Sequence, residues 1–388
     1  MRVLHFLKTS VGASWAVRQT RELVRLGLDV HVVLPPGPML QAYRAVGVTT
    51  HVMDASLDLR KPHVNVRRFK RIRELVESVK PEVIHCHFVA NALALRFALG
   101  RKHTVKRIFH VPGPLHLEHP FFRAAEILSA GPSDFWLASC EWTRRCYIRS
   151  GVSPQRVGLA YYGIDVPQFD PSRSGALRRE FGVGANVPVV GNVAYLYPPK
   201  RYLGQKVGLK GHEDLIQAVD QAAVEVPGLT CFIVGGPWGG AGWYFEKVRR
   251  LAEKSQHARI IMTGYRNDVQ EIYNDFDVAV HPSHSENVGG ALESLTHYIP
   301  TIATNVGGFP DLVLPEQTGW LVPPRDPVSL ARAIVSAFEN RDYAKMLACR
   351  GRQRVEQLFN VQRNAQDIVG YYERMLETGQ LDSELKVD

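Results

Sequence analysis

Two carboxylates and a glycine pair lie close together in the stretch from His281 to Pro324. Glu286 falls in a polar loop, Gly289 and Gly290 follow it, and Glu293 comes next. Glycines let a ligand approach the backbone, and the free N–H groups of a helix's first turn attract a phosphate. Carboxylate oxygens accept hydrogen bonds from the neighbouring hydroxyls of a ribose or a sugar. The pattern therefore predicts a site for such a ligand, although a solvated glutamate on a crossover helix would equally explain Glu293 alone.

The elements on either side of these residues predict how they are positioned. An apolar run, Phe276–Val280, predicts a buried strand before the loop, and Thr301–Thr304 predicts another strand after Pro300. Between them a short helix places its apolar residues on one side, namely Ala291, Leu292, Leu295 and Tyr298. Strand, glycine loop, helix and strand in this order are typical of a parallel βαβ crossover.

Length and composition limit the class of protein. The chain has 388 residues, enough for two domains. No apolar run reaches the roughly 20 residues of a membrane span, and the first residues, MRVLHFL, predict a strand rather than a signal peptide. Five cysteines without a CxxC pair indicate free thiols in a reducing compartment. We therefore expect a cytoplasmic protein.

The positive charge is concentrated in the N-terminal part. Residues 1–150 hold 23 Lys and Arg against 11 Asp and Glu, although the whole chain carries only +9. Five of these cations crowd one predicted helix, Val64–Val79: Arg67, Arg68, Lys70, Arg71 and Arg73. Such a helix suits an anionic membrane surface, and equally a solvated face of a helix packed on a sheet. No recognition motif supports nucleic-acid binding.

Short strands alternate with helices along the rest of the chain. The strand candidates of the first half are residues 2–7, 30–34, 83–85, 108–109, 134–139 and 157–161. This alternation predicts a doubly wound parallel sheet, in which ligands bind at the carboxyl ends of the strands. Gly12 lies in the first such turn. His85 and His87 share one side of a strand and could suggest a metal, but with Cys86 on the other face we interpret them as structural or acceptor-side residues.

The stretch after His281 resembles the donor-nucleotide motif of family 4 glycosyltransferases, which are retaining enzymes of GT-B fold and include many bacterial sugar transferases. The matching residues are Glu286, Glu293, Pro300, Gly307 with Gly308, and Thr318 with Gly319. The family usually has seven residues between the two glutamates, whereas this chain has six. The resemblance implies that Glu286 holds a hydroxyl of the donor sugar and Glu293 the ribose diol. The intervening Asn287, Val288, Gly289 and Gly290 would contact the donor.

The resemblance also implies cations that grip the donor diphosphate. Lys210, followed by Gly211, matches the family's lysine, but Tyr195 occupies the place of its arginine. The loop 197–209 between them carries three further cations that could replace it: Lys200, Arg201 and Lys206. A diphosphate leaving group needs positive charge. Lys210 is therefore the predicted phosphate ligand and a catalytic residue.

Four further positions follow from the resemblance. Gly12 would pass close to the diphosphate or the acceptor, and Gly235 would lie beside the nucleotide. Tyr265 or Arg266 would border the base. His110 matches a histidine at a strand end that faces the sugar, with His116 as its near alternative, and is a predicted catalytic residue together with Lys210 and Glu286. A histidine with a purely structural role at a strand end is the alternative explanation.

No cofactor and no metal are expected. Asp275-Phe-Asp277 spells the DxD motif with which another glycosyltransferase fold binds a divalent ion, but here it precedes a buried strand, and we interpret it as coincidental. A pyridoxal lysine motif for a phosphorylase is not recognisable. A dehydrogenase would need G-x-G-x-x-G after the first strand, where Ser10–Ser14 lacks it.

The sequence thus predicts an α/β protein of GT-B fold, with two Rossmann-like doubly wound domains facing across a cleft. The N-terminal acceptor-binding domain would comprise residues 1–168 and a crossover helix at about 361–388, and the donor-binding domain residues 169–360. The predicted reaction transfers a sugar from a nucleotide diphosphate sugar, UDP by family precedent, to an acceptor hydroxyl with retention. The acceptor could be lipid-linked or anionic at the inner face of a membrane, as in surface polysaccharide or glycolipid synthesis. A soluble small-molecule acceptor and an inactive scaffold are the alternatives.

Overall fold

The computed structural model describes residues 1–111, 113–166, 175–200 and 204–381. The chain divides into two compact units. The first comprises Met1–Asp165 and the chain from Leu358 onward, and the second comprises Val166–Gln357. The predicted boundary at residue 168, the candidate cation Arg201 and the last seven residues of the tail lie outside the described residues.

The first unit contains a seven-stranded sheet in which every strand pair is parallel. Its strands are β1 (Arg2–Phe6), β2 (Asp29–Leu34), β3 (Thr49–Val52), β4 (Val83–Cys86), β5 (Lys106–Val111), β6 (Asp134–Ala138) and β7 (Val157–Leu159). They lie in the order β3-β2-β1-β4-β5-β6-β7. Because β1 pairs with β2 on one side and with β4 on the other, the direction of winding reverses between β1 and β4.

Helices connect these strands, as parallel pairing requires. They are α1 (Ser14–Arg25), α2 (Leu40–Ala45), α3 (Pro62–Val79), α4 (Val89–Leu99), α5 (Leu115–Glu118), α6 (Pro120–Leu128) and α7 (Glu141–Arg149). One more helix of this unit comes from the end of the chain, Val361–Glu377. Its residues Ile368, Tyr372 and Met375 are buried in the same apolar core as Leu23 of α1.

The second unit contains a six-stranded sheet, also parallel throughout. Its strands are β8 (Val189–Val193), β9 (Thr230–Val234), β10 (Arg259–Gly264), β11 (Val278–His281), β12 (Thr301–Thr304) and β13 (Trp320–Val322). Its helices are α8 (Ala176–Glu180), α9 (His212–Ala222), α10 (Gly242–Ala252), α11 (Val269–Ile272), α12 (Gly289–Thr296), α13 (Phe309–Leu312), α14 (Pro327–Glu339) and α15 (Arg341–Leu358). The helix Val361–Glu377 of the first unit is α16.

The strand order of the second sheet is β10-β9-β8-β11-β12-β13, so the winding reverses between β8 and β11. Two doubly wound parallel sheets confirm the predicted fold class. The predicted strand Phe276–Val280 begins later, at Val278, because Phe276 instead packs into the space that Gly191 leaves open. Within the described residues, no helix is both long and apolar enough to span a bilayer.

Candidate active site

A cavity of about 340 Å³ lies in the second unit, where the carboxyl ends of β8, β9, β10 and β11 meet. We call it the glutamate cavity. Its lining contains eight of the residues predicted from the sequence: Tyr195, Lys210, Gly235, Arg266, Glu286, Gly289, Gly290 and Glu293. Since the cavity lies at the β8–β11 reversal, it occupies the position where open α/β sheets bind ligands.

Two of the predicted residues, which carry opposite charges, are in contact at this cavity. The ammonium of Lys210 forms an ion pair with Glu286, and the two side chains are only 17% and 14% exposed. Lys210 precedes α9 in a turn where Gly211 has φ +67°, and a Cβ at Gly211 would lie 2.0 Å from the carbonyl oxygen of Pro282. The lysine turn therefore packs directly on the chain that leaves β11.

A second turn supports the loop that carries Glu286. Gly307 has φ +51°, and a Cβ there would lie 1.7 Å from the carbonyl oxygen of Glu286. The next residue, Gly308, donates its N–H to the carbonyl of Asn287 at 2.8 Å. The glycine pair after β12 therefore fixes the backbone of Glu286 and Asn287. Val288 is buried, and neither Asn287 nor Val288 lines the cavity.

The first turn of α12 borders the cavity through Gly289 and Gly290. No side chain caps this helix, so its leading N–H groups remain available to an anion. Gly290 also faces His281, because a Cβ at Gly290 would lie 2.4 Å from His281 Nδ1. Burial, followed by the charge of Lys210, lowers the pKa of His281 to about 3, so His281 is neutral and adds no charge to the site.

The second glutamate has a different partner. Tyr273 donates its hydroxyl to Glu293 Oε2 at 2.9 Å. Burial, and then the charge of Glu293, raise the pKa of Tyr273 well above its usual value, so the tyrosine stays a donor. This bond orients the Glu293 carboxylate, which lies one helical turn beyond the glycine pair and accepts hydrogen bonds only.

Arg266 lines the cavity but is already paired with two acids. Its guanidinium contacts Glu180 at 2.8 Å and Asp268 at 2.7 Å. These bonds, with Asp268 contributing most, raise the pKa of Arg266 above its ordinary value. Arg266 therefore brings little unbalanced charge to a ligand, whereas its neighbour Tyr265 is 64% exposed.

Sequence reasoning missed several lining residues, including Asn192, Tyr197, His281 and Ser283. Asn192, His281 and Ser283 lie at the carboxyl ends of β8 and β11, a position that could have revealed them. Tyr197 lies two residues after Tyr195 in an extended segment, so both face the same side. Burial, and then the charge of Glu286, raise the pKa of Tyr197 to about 12.

The predicted cations Lys200 and Lys206 of the second unit do not line this cavity either, and the other predicted residues belong to the first unit. Gly12 follows β1 with φ +69° and open space at its Cβ position. His110 is the next-to-last residue of β5, is fully buried, and donates from Nε2 to the carbonyl of Ala160 at 2.7 Å. Its pKa is lowered to about 3 by burial, which makes it neutral. His116 is near Tyr147, with Nε2 and Oη 3.2 Å apart.

Three buried histidines of the first unit bring nitrogen atoms within 4.8 Å of one another: His5, His85 and His87. Their rings are stacked, with interplanar angles of 16°, 19° and 20°. A metal ion lies in the plane of every imidazole that binds it, so parallel rings do not converge on one ion. The hydroxyl of Tyr162 donates to the carbonyl of His110, so the same hydroxyl accepts a hydrogen bond from Nδ1 of His87. Nε2 of His87 then accepts a hydrogen bond from Nδ1 of His5. This arrangement fits a hydrogen-bonded cluster better than a metal site.

The acids of the DxD motif have structural partners. Asp275 accepts hydrogen bonds from the backbone N–H groups that begin α8, among them Leu177 at 2.6 Å. Asp277 accepts from Arg178 at 3.0 Å and from the N–H of Val189 at 2.8 Å. Both carboxylates thus join α8 to the sheet and lie outside the glutamate cavity.

Family models match both units of the chain. The model of "Glycosyltransferase Family 4" matches residues 13–168, and that of "Glycosyl transferases group 1" matches residues 201–354. Among curated relatives, D-inositol 3-phosphate glycosyltransferase of Acidothermus cellulolyticus is 28% identical over 275 residues, which is 65% of this chain and 58% of the relative. That of Mycobacteroides abscessus is 30% identical over 176 residues, 44% of this chain and 37% of the relative. The matches thus span less than two thirds of these relatives.

Solved structures extend the similarity to the whole fold. HepE of Anabaena in complex with UDP has a TM-score of 0.78 at 20% identity and covers 95% of this chain and 98% of its own. A glycosyltransferase from Rickettsia africae has a TM-score of 0.77 at 16% identity, covering 97% and 99%. The fold is that of the GT-B glycosyltransferases. With both units matched by its models, the chain belongs to glycosyltransferase family 4.

Proposed function

We propose that this protein transfers a sugar from a nucleotide diphosphate sugar to an acceptor hydroxyl, with retention of configuration and without a metal ion. The observation that carries the proposal is the glutamate cavity itself. It combines one lysine, two carboxylates and an uncapped helix N-terminus at the carboxyl ends of parallel strands. UDP is the favoured nucleotide, because the similar structure of Anabaena HepE holds UDP.

Each group has a role that its chemistry allows. The ammonium of Lys210 has three donors, so it can keep one bond to Glu286 while it binds a phosphate oxygen. The N–H groups of Gly289 and Gly290 would bind the same diphosphate. Glu286 would accept a hydrogen bond from a hydroxyl of the donor sugar, and Glu293 would accept hydrogen bonds from the two hydroxyls of the ribose.

The proposed reaction is a front-face attack. No further carboxylate is assigned as a nucleophile, unlike in retaining hydrolases. The bond from the sugar's anomeric carbon to the departing diphosphate breaks while the acceptor oxygen bonds to the same carbon. The departing phosphate oxygen takes the acceptor's proton. Lys210 and the α12 amides stabilise the charge that develops on the diphosphate, which is the task a metal would otherwise perform.

The acceptor is proposed to be membrane-linked or anionic, as in synthesis of surface polysaccharide or glycolipid at the inner face of a membrane. Arg67, Lys70 and Arg71 are exposed on α3. Their neighbours Arg68 and Arg73 are engaged, with Arg68 paired to Asp54 and Arg73 donating to the carbonyl of Ala98 at 2.5 Å. Lys70 lies 3.8 Å from Glu74, whereas no ion pair with a described acid engages Arg67 or Arg71. These three cations share one face with Val66, which is 73% exposed. Such a face suits an anionic bilayer.

A soluble acceptor is the second candidate. It is favoured by the curated relatives, which are named for D-inositol 3-phosphate, a small anionic molecule. Sedimentation with phosphatidylglycerol vesicles separates the two candidates. Binding that disappears in Arg67→Gln/Arg71→Gln supports a membrane acceptor, whereas no binding at physiological salt supports a soluble one.

The donor is tested by thermal denaturation with UDP, GDP, ADP and their sugars, in EDTA. A nucleotide at about 100 times its dissociation constant adds about 2.7 kcal/mol to the free energy of unfolding. We expect one nucleotide to raise the melting temperature, and Glu293→Gln to abolish the rise. Glu225→Gln, an exposed glutamate of the same unit, is the matched control.

The rate of donor hydrolysis in the absence of an acceptor then distinguishes an enzyme from an inactive scaffold, because slow hydrolysis shows that the protein is an enzyme. A nucleotide that binds but is never hydrolysed or transferred would favour the scaffold. Proton NMR of the first product gives the anomeric configuration. If no nucleotide changes the melting temperature, either in EDTA or with Mg²⁺ or Mn²⁺, the proposed function is wrong.

A further inference from the structure

A second cavity, of about 830 Å³, adjoins the glutamate cavity in the same unit. Its walls are formed by aromatic rings and prolines: Tyr197, Pro198, Pro199, Trp238 and Trp243. We call it the aromatic pocket. Tyr197 lines both cavities, so a ligand in one lies a single ring away from a ligand in the other.

Backbone hydrogen bonds position two of the segments that carry these rings. Leu196 is fully buried; its N–H donates to the carbonyl of Gly236 at 3.0 Å, and its carbonyl accepts from the N–H of Trp238 at 3.1 Å. Because side chains alternate along extended backbone, Tyr195 and Tyr197 both turn away from the core. The Trp238 ring lies 5.1 Å from each of these two rings, measured between centroids.

Trp243 also lines the aromatic pocket. It lies in the first turn of α10, next to the fully buried Tyr244, whose hydroxyl bonds Glu213 at 2.8 Å. The Trp243 side chain is nevertheless 61% exposed, and that of Trp238 is 49% exposed. A cluster of large, solvent-exposed aromatic side chains indicates a binding surface.

The chemistry of the walls favours a sugar ring. An aromatic face carries partial negative charge, and the C–H bonds on one face of a pyranose carry partial positive charge. The hydroxyls at the rim of such a ring can stay in water, so the pocket needs few polar groups. Among its described lining residues, Lys200 is the one with a charged side chain. A nucleobase would instead require paired donors and acceptors, and a lipid chain an aliphatic lining.

We propose that the aromatic pocket binds a sugar residue of a carbohydrate acceptor, one that lies beyond the residue receiving the transferred sugar. The role as acceptor subsite rests on the proposed transfer reaction, because the glutamate cavity next to it would hold the donor. The carbohydrate specificity itself rests only on the walls of the pocket. The proposal favours a growing glycan over a small polyol as acceptor.

The test uses the tryptophan fluorescence of the full-length protein, quenched with acrylamide. The probes are maltohexaose, cellohexaose and mannohexaose, each titrated with and without UDP. We expect at least one hexasaccharide to protect the tryptophans in a saturable manner. Trp238→Ala and Trp243→Ala should each weaken its binding roughly tenfold, equivalent to about 1.4 kcal/mol. Neither residue lines the glutamate cavity, so both variants should keep the thermal shift with UDP.

Phe121→Ala is the matched control, because Phe121 is 66% exposed but belongs to the first unit. If UDP raises the melting temperature but no hexasaccharide protects the tryptophans, the pocket proposal is overturned and the proposed function stands. If a hexasaccharide protects and no nucleotide binds, the carbohydrate site stands without its role as acceptor subsite. Protection by phosphatidylglycerol vesicles alone would identify a membrane contact and overturn the proposal.

Discussion

Lys210 and Glu286 form an ion pair across 76 positions of the chain. The pair joins the turn before α9 to the loop after β11, and a second bond strengthens this junction. The N–H of His284 donates to the carbonyl of Leu209 at 2.8 Å, directly before the lysine. The ion pair therefore both positions the candidate phosphate ligand and closes one wall of the glutamate cavity.

The first prediction concerns the energetic coupling of these two charges. Lys210→Met should leave Glu286 without its cation, and Glu286→Gln should leave Lys210 without its anion. Because both side chains are mostly buried, each single change should lower the free energy of unfolding by about 1–2 kcal/mol. The double variant should lose clearly less than the sum, with a coupling of about 1 kcal/mol. Urea denaturation of all four proteins measures this coupling, and strictly additive losses would contradict it.

The second prediction concerns Gly307. Gly307→Ala should lower the free energy of unfolding by about 2–3 kcal/mol and weaken nucleotide binding, since a methyl group there meets the Glu286 carbonyl. Gly182→Ala is the control: Gly182 has φ +61°, yet nothing lies within 4 Å of its Cβ position. Gly182→Ala should lower the free energy of unfolding by about 1 kcal/mol, because alanine is strained at a positive φ, and should leave nucleotide binding unchanged. Equal losses in the two variants would mean that the close approach to Glu286 is unimportant.

The third prediction separates structural from metal-binding acids. Asp275→Asn should lower the melting temperature, because the Asp275 carboxylate accepts hydrogen bonds from backbone N–H groups at the start of α8. Losing this charged cap should cost about 1–2 kcal/mol of the free energy of unfolding. Nucleotide affinity measured in EDTA should stay as in the unchanged protein. If Mn²⁺ strengthens nucleotide binding by the unchanged protein, and Asp275→Asn loses that gain at full stability, a metal-binding DxD motif is favoured instead.

The fourth prediction is a loss of stability in acid. Burial lowers the pKa of His5, His110, His212 and His281 to about 3. In the unfolded chain these groups titrate near 6.5, so between about pH 6.5 and 3 the unfolded state binds more protons. Their contribution is complete above pH 6.5 and is lost as the pH falls, at up to about 1.4 kcal/mol per histidine and pH unit. Denaturation curves from pH 7.5 to 5 measure the slope.

A variant of one such histidine identifies the source of this slope. His212→Leu should make the dependence of the unfolding free energy on pH shallower. His257→Asn, at an exposed position, should leave it unchanged. Equal slopes in both variants would assign the acid sensitivity to other groups.

The hydrophobic periodicity of the sequence was sufficient to predict most of the fold. The strands and helices of both sheets follow the predicted alternation, and the crossover from β11 through α12 to β12 lies where the pattern indicated it. Two edge strands, β3 and β13, were missed. With three or four residues each, they bury too few side chains to stand out as apolar runs.

The candidate site was accessible from the sequence where it depends on local pattern. Glu286, Gly289, Gly290 and Glu293 follow one another within one loop and helix, and all line one cavity. Two features needed the three-dimensional structure. The pairing of Arg266 with Glu180 joins distant segments, and the tilted contact between the rings of Trp238 and Tyr197 depends on a backbone pairing that no periodicity encodes.

The position of α16 has a consequence for how the chain matures on the ribosome. The core of the first unit includes Ile368, Tyr372 and Met375, which are synthesised only after the whole second unit. The half that is translated first is therefore completed last, and until then it exposes the apolar surface that α16 will cover. A nascent chain stalled before residue 361 should expose this surface to chaperones, whereas its second unit already has every element it needs.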